Sequence, residues 1–144
     1  MSEPAPNATK YLIKGEIIMS VKKFYVCKKC GNLVAVVNDS KVPMMCCGAK
    51  MEELVANTTD AAQEKHVPVV TVKCKTVTVN VGEVTHPMTA EHNIAWIYLE
   101  TTKGGQYKVL APDEAPEAVF KLDDEKPVAA YAYCNLHGLW KKDI

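Results

Sequence analysis

The sequence predicts an all-β protein in which a small, metal-stapled N-terminal unit precedes an antiparallel β-sandwich. Three observations carry this reading. Two cysteine pairs, Cys27 with Cys30 and Cys46 with Cys47, fall inside 21–56, a stretch too short to bury a self-sufficient core. Beyond residue 57 the chain breaks into short runs rich in β-branched and aromatic residues, separated by turn residues. No stretch has the period of a long amphipathic helix.

Taken in order, residues 1–20 read as an extension. Pro4, Pro6 and Asn7 lead into two apolar runs, 11–13 and 17–19, which Lys14 and Glu16 interrupt. A secretory signal or membrane span needs a continuous apolar stretch, so neither is expected and a cytoplasmic location is. Met19 is a candidate alternative start, because a new pattern opens directly after it. Glycosylation sequons at Asn7 and Asn57 carry no weight without export.

Cys27-Lys-Lys-Cys30-Gly31 and Cys46-Cys47-Gly48 come next. In a cytosolic chain, paired cysteines of this kind indicate a metal site before they indicate disulfides or free thiols. Glycine after each pair suits a tight knuckle with positive φ. Neighbouring residues of an extended chain point opposite ways, so Cys46 and Cys47 can share an ion only across a sharp bend. Four thiolates select zinc or iron, and the bound ion would supply folding energy.

A polar joint at 57–59 opens the larger unit. Asp60 is the expected N-cap of one helical turn over 61–65, which ends before Pro68. Strands are expected at 67–74, 76–81, 94–100, 106–110, 117–122 and 128–133, and this succession argues for a sandwich. Apolar parity shifts between Val70/Val72 and Val77/Val79/Val81, so a turn or bulge is expected at 73–76. Trp96, Tyr98 and Phe120 read as core or site-wall residues.

Near the end, Tyr131-Ala-Tyr-Cys-Asn-Leu-His-Gly-Leu-Trp140 sets Cys134 and His137 at metal-ligand spacing. The other histidines are His66, His86 and His92, and all four lie in short loop-like segments outside the apolar runs. Any one alone reads as a surface residue. Together, four imidazoles and one thiolate suit a transition metal of borderline-to-soft preference. Apolar residues make up 48% and charged residues 24% of the chain, with 17 basic against 17 acidic side chains and no like-charge block. That balance carries no nucleic-acid or membrane-surface footprint. A pure electron carrier would need the four cysteines alone and leave the His/Cys set unexplained. A zinc hydrolase would find five protein ligands too many, because water and substrate also need room.

From about Lys23 onward the chain resembles desulfoferrodoxin, the two-iron form of superoxide reductase. The resemblance rests on Phe24-Tyr25-Val26-Cys27-Lys-Lys-Cys30-Gly31-Asn32, Cys46-Cys47-Gly48, Asp60-Ala-Ala-Gln-Glu-Lys-His66-Val-Pro68, His86-Pro87-Met88, Glu91-His92, Ala115-Pro-Glu-Ala118 and Tyr133-Cys134-Asn135-Leu136-His137-Gly138. It implies a desulforedoxin-like domain at 21–56 and an immunoglobulin-like superoxide reductase domain at 57–144. It also implies two non-haem irons per chain. One would be an accessory Fe(Cys)4 centre on Cys27, Cys30, Cys46 and Cys47. The other would be catalytic, with His66, His86, His92 and His137 in a plane, Cys134 axial and the sixth position open to superoxide. One electron from iron and two protons would give hydrogen peroxide. Glu64 matches a carboxylate that ligates the oxidised ion, and Lys65 a cation that attracts superoxide and supports protonation. A rubredoxin-like electron donor and a homodimer are further implications. The runner-up reading is an iron–sulfur-ligated electron-transfer protein without substrate chemistry of its own. Three features depart from the family pattern: residues 1–20, Cys74 where a glycine-containing hairpin turn is common, and Leu139-Trp140, with no clear consequence for the site.

Overall fold

The computed structural model describes residues 10–13, 16–19 and 22–144. In the extension, β1 (Lys10–Ile13) and β2 (Glu16–Met19) pair antiparallel, with Lys10 opposite Met19 and Ile13 opposite Glu16. Next, β3 (Phe24–Val26) runs between β4 (Leu33–Ala35) and β7 (Glu52–Glu53), while β5 (Met45–Cys46) and β6 (Ala49–Lys50) form a separate hairpin. One helical turn, α1 (Gln63–His66), follows. Seven strands complete the chain: β8 (Pro68–Lys73), β9 (Thr76–Val81), β10 (Ile94–Thr101), β11 (Gly104–Val109), β12 (Glu117–Lys121), β13 (Pro127–Cys134) and β14 (Gly138–Asp143). They form two antiparallel sheets, ordered β12-β9-β8 and β11-β10-β13-β14.

Alternation decides which face is buried. In β9 the side chains of Val77, Val79 and Val81 are fully enclosed, and they meet Ala118 and Phe120 of β12 and Ile97, Leu99, Ala130 and Ala132 of the opposite sheet. The opposite face of β10 and β13 is covered as well. There Tyr98, Tyr131 and Leu139 pack with Phe24, whose ring lies 5.1–5.3 Å from those of Trp96, Tyr98 and Tyr131. Burial on both faces explains why 128–133 is continuously apolar. Enclosing the Phe24 side chain contributes about 2–3 kcal/mol and fastens β3 to the sandwich. Asn57 closes the same seam, accepting from the Lys141 backbone N–H at 2.9 Å and donating to the Lys141 carbonyl at 3.1 Å.

The six expected strands are present, with ends displaced by at most two residues, and 76–81 matches throughout. The turn at 73–76 is a hairpin in which Lys73 pairs Thr76 and Cys74 takes φ 53°. Two expectations need correction. The helical turn begins after Ala62, which has no side-chain cap, and Asp60 lies in the bend before it. β14 was not expected, because its only buried residues are the adjacent Leu139 and Trp140, which carry no alternation.

Candidate metal centres

The sulfur cluster is built by two turns. Gly31 N–H donates to the Cys27 carbonyl at 2.8 Å and Gly31 has φ 84°, which folds Cys30 back toward Cys27. In the β5–β6 hairpin, Cys46 pairs with Ala49, and the intervening Cys47 and Gly48 have φ 53° and 71°. This is the sharp bend that adjacent cysteine ligands require. All four sulfurs lie within 4.8 Å of one another, with Cys30–Cys46 at 3.6 Å and Cys46–Cys47 at 4.0 Å. Metal–sulfur bonds of about 2.3 Å in a tetrahedron separate sulfurs by about 3.8 Å, so the set is the right size for one ion. Backbone N–H groups of Cys30 and Lys29 pull the Cys27 thiol down to about 6. Hydrogen bonding to Cys30 and Cys27 pushes Cys47 up to about 12, and the same neighbours raise Cys46. Four close thiols cannot all ionise alone; a cation among them reverses that balance. Asn32, which spacing did not single out, donates its backbone N–H to Cys30 sulfur and its amide to Cys46 sulfur.

At one end of the sandwich the four histidines form a ring. His66 ends α1, His86 and His92 lie between β9 and β10, and His137 occupies the β13–β14 turn. Successive ring centroids are 4.7 Å apart for His66–His86, 4.6 Å for His86–His92, 5.1 Å for His92–His137 and 4.9 Å for His137–His66. Each neighbouring pair is edge-to-face, whereas His66 and His92, across the ring, are 6.3 Å apart and tilted by only 32°. Cys134, buried at the end of β13, brings its sulfur to 3.7 Å from His137 Nδ1. Ligand atoms of His66, His92, Cys134 and His137 lie within 4.8 Å of one another; His86 stands outside that tight set and joins through its neighbours His66 and His92.

Hydrogen bonds choose the tautomers. A carbonyl can only accept, so the Ala62 oxygen at 2.7 Å fixes a proton on His66 Nδ1, and the Pro87 oxygen at 2.7 Å does the same for His86. Nε2 of each is left with its lone pair. Nε2 of His86 and of His92 are buried with no hydrogen-bond partner among the described residues, a costly state for a polar atom unless a cation completes it. Burial lowers the basicity of His66, His92 and His86, the last to about 4, which keeps these imidazoles neutral at pH 7. Burial also pushes the Cys134 thiol up, so this sulfur needs a cation to ionise. Both donor sets therefore fit metal ions, thiolate-only in one case and imidazole-rich in the other.

A desulfoferrodoxin family model matches residues 58–143. The chain belongs to the desulfoferrodoxin family. It is 46% identical over 120 residues to the desulfoferrodoxin of Clostridium acetobutylicum, covering 83% of this chain and 94% of that protein. A superoxide reductase of Pyrococcus horikoshii is 40% identical over 99 residues, covering 56% of this chain and 86% of that one. The crystal structure of the superoxide reductase from Treponema pallidum superposes with a TM-score of 0.73 at 40% identity, over 86% of this chain and all of that one. For a desulfoferrodoxin, the two donor sets are the places of two iron centres.

Within this family frame, several residues that hold the histidine ring escaped sequence reasoning. Trp140 stacks on His66 at 4.9 Å and donates its Nε1–H to the His137 carbonyl at 3.2 Å, so the Leu139-Trp140 ending does bear on the site. Asn135 ties the Cys134 loop to the His92 loop, accepting from Asn93 N–H and donating to the Glu91 carbonyl, each at 2.9 Å. Thr89 Oγ1 accepts from His92 N–H at 3.0 Å. Gly82 lets the chain after β9 pass against α1, where Val84 N–H donates to the Glu64 carbonyl at 2.9 Å. Position beside the ligands was the only available signal for Asn135 and Trp140. Glu64 and Lys65 are exposed on α1 directly before His66. The Lys65 charge lowers the basicity of both His66 and His92, and the Glu64 charge opposes it at His66.

Proposed function

We propose that this chain is a superoxide reductase whose site consists of His66, His86, His92, His137 and Cys134. The observation that carries the reading is the pair of buried Nε2 atoms, on His86 and His92, that have no hydrogen-bond partner among the described residues, within a ring of four imidazoles beside a buried thiol. A ferrous iron held by these five side chains would supply the single electron that superoxide needs, and two protons would complete hydrogen peroxide. Neutral imidazoles and one thiolate leave a residual positive charge, which favours an anionic substrate. Lys65, exposed on α1 directly before His66, adds a cation that draws superoxide in and supports protonation of the product. Glu64 offers a carboxylate to the same mouth after turnover. The backbone contacts of Gly82 and Val84 and the side-chain amide of Asn135 keep the ligand-bearing loops in register.

The four cysteines form an accessory iron centre in this reading, one that turnover does not require; a rubredoxin-like carrier in the cytoplasm donates the electrons, and the working form is a homodimer. The division into 21–56 and 57–144 follows the same scheme, with Asn57 as the joint. An electron carrier without substrate chemistry would have no use for the histidine ring. The test is Cys134→Ser: the sulfur-to-iron absorption band of the oxidised site and superoxide turnover should both collapse. An unchanged band removes sulfur from the ligand set.

A further inference from the structure

The histidine ring is assembled from three separate stretches of chain: α1 supplies His66, the connection between β9 and β10 supplies His86 and His92, and the β13–β14 turn supplies His137. A ring of three pieces has three seams. At the first, Val84 N–H donates to the Glu64 carbonyl at 2.9 Å and holds the β9–β10 connection to α1. At the second, Asn135 joins the same connection to the β13–β14 turn through its contacts with Asn93 and Glu91. The third lies between His66 and His137. There the two rings touch directly, with His66 Nε2 3.1 Å from His137 Nδ1. Because His66 keeps its proton on Nδ1 against the Ala62 carbonyl, its Nε2 lone pair accepts from His137. A metal ion would take that same lone pair, so this link cannot survive loading of the site.

Trp140 spans the third seam with groups that a metal leaves alone. Its indole stacks on the face of His66, with centroids 4.9 Å apart and planes tilted by 27°, and its Nε1–H donates to the His137 carbonyl at 3.2 Å. Stacking restrains the His66 ring without using either of its nitrogens, and the hydrogen bond holds the His137 backbone rather than its imidazole. The indole is itself firmly seated. It is 1% exposed and lies on β14 opposite Ala132, in the ladder that ends with Cys134 opposite Gly138. We infer that Trp140 is the positioning residue of this seam, bridging His66 and His137 whether or not the site is filled, and so slowing the loss of catalytic iron. Groups that orient metal ligands from behind set metal affinity by about 10- to 100-fold.

The inference rests on the ring being an iron site, and release of ferrous iron tests the two separately. Reduced, iron-loaded protein is mixed with excess ferrous chelator, and samples reoxidised at intervals report the sulfur-to-iron band that remains at the catalytic centre. Trp140→Leu removes both contacts and should release catalytic iron about tenfold faster or more. Trp140→Phe keeps an aromatic face for His66 but has no N–H, and its rate should fall between that of Trp140→Leu and native. Val77→Ala opens the core at the far end of β9 and controls for general destabilisation; its rate should stay within about twofold of native. Tetrathiolate iron should leave at the native rate in all three variants. A native rate in Trp140→Leu, or an equal acceleration in Val77→Ala, would overturn the inference. A Trp140→Phe rate equal to native would remove the His137 link, and one equal to Trp140→Leu the His66 stack; either overturns the bridge. Should Trp140→Leu not fold, Trp140→Phe decides: faster release than native supports the bridge, and equal release overturns it. A native chain without the sulfur-to-iron band would instead overturn the iron site itself.

Discussion

Gly82→Ala should damage the histidine site without touching any ligand. A Cβ at position 82 would stand 2.6 Å from the Glu64 carbonyl oxygen, 2.9 Å from the Lys65 carbonyl carbon and 3.1 Å from the Lys65 oxygen. All three are backbone atoms, so no side chain can swing aside. Ordinary contact begins at 3.4 Å, which leaves about 0.8 Å for α1 or the β9 exit to yield. Overpacking of this kind costs about 1–3 kcal/mol. His66 is the residue after Lys65, and productive sites tolerate about 0.5 Å of displacement. The expected loss in superoxide reduction is therefore about 10- to 100-fold, with an altered absorption band at the catalytic iron. The tetrathiolate bands should not change, because that cluster is carried by other segments. Iron analysis, the oxidised spectrum and stopped-flow kinetics read all three quantities. A variant with full iron, an unaltered catalytic band and an unaltered rate would refute the argument that Gly82 sets the position of His66.

Other predictions follow from single residues. Cys74 holds φ 53° in an exposed hairpin turn, where an L-residue is strained, so Cys74→Gly should raise stability by about 0.5–1 kcal/mol in denaturant titration, with an unchanged slope. In the metal-free protein, His86 sits at about 4 against an ordinary 6.5, and His66 and His92 shift the same way. The unfolded chain then binds protons that the folded one refuses, so stability should be greatest above pH 6.5 and fall as pH drops toward 4; thermal melts across that window check the sign. Lys65→Ala should slow the bimolecular reaction with superoxide by up to about tenfold and flatten its ionic-strength dependence, with iron content unchanged. Cys27→Ser should abolish the tetrathiolate bands and leave superoxide reduction largely intact.

Local pattern made the sandwich legible where one physical rule dominated. In 76–81, alternation puts valines inside and threonines outside, and the strand matches end to end. The run 128–133 was legible because burial on both faces removes polar residues altogether. β14 was not, since Lys141, Lys142 and Asp143 on an outer strand look like a solvated tail until β13 is there to pair with. The two- and three-residue strands around the cysteines are likewise set by pairing and by the knuckles, with too few residues for a period to show. Ligand residues stood out because histidine and cysteine are scarce and chemically distinctive. Their supports did not. Gly82, Asn135 and Trp140 act through contacts with segments distant in sequence, and nothing local marks a glycine as the point where two backbones touch.

The central claim, one-electron reduction at the histidine–cysteine centre, is tested most directly by the yield of hydrogen peroxide per superoxide consumed when the fully reduced protein meets pulse-generated superoxide. A reductase draws its electron from the protein and gives one peroxide for each superoxide, with no oxygen released and with the catalytic iron oxidised in step. A yield of one half with matching oxygen evolution would mean that superoxide supplies its own electrons, and would contradict the account.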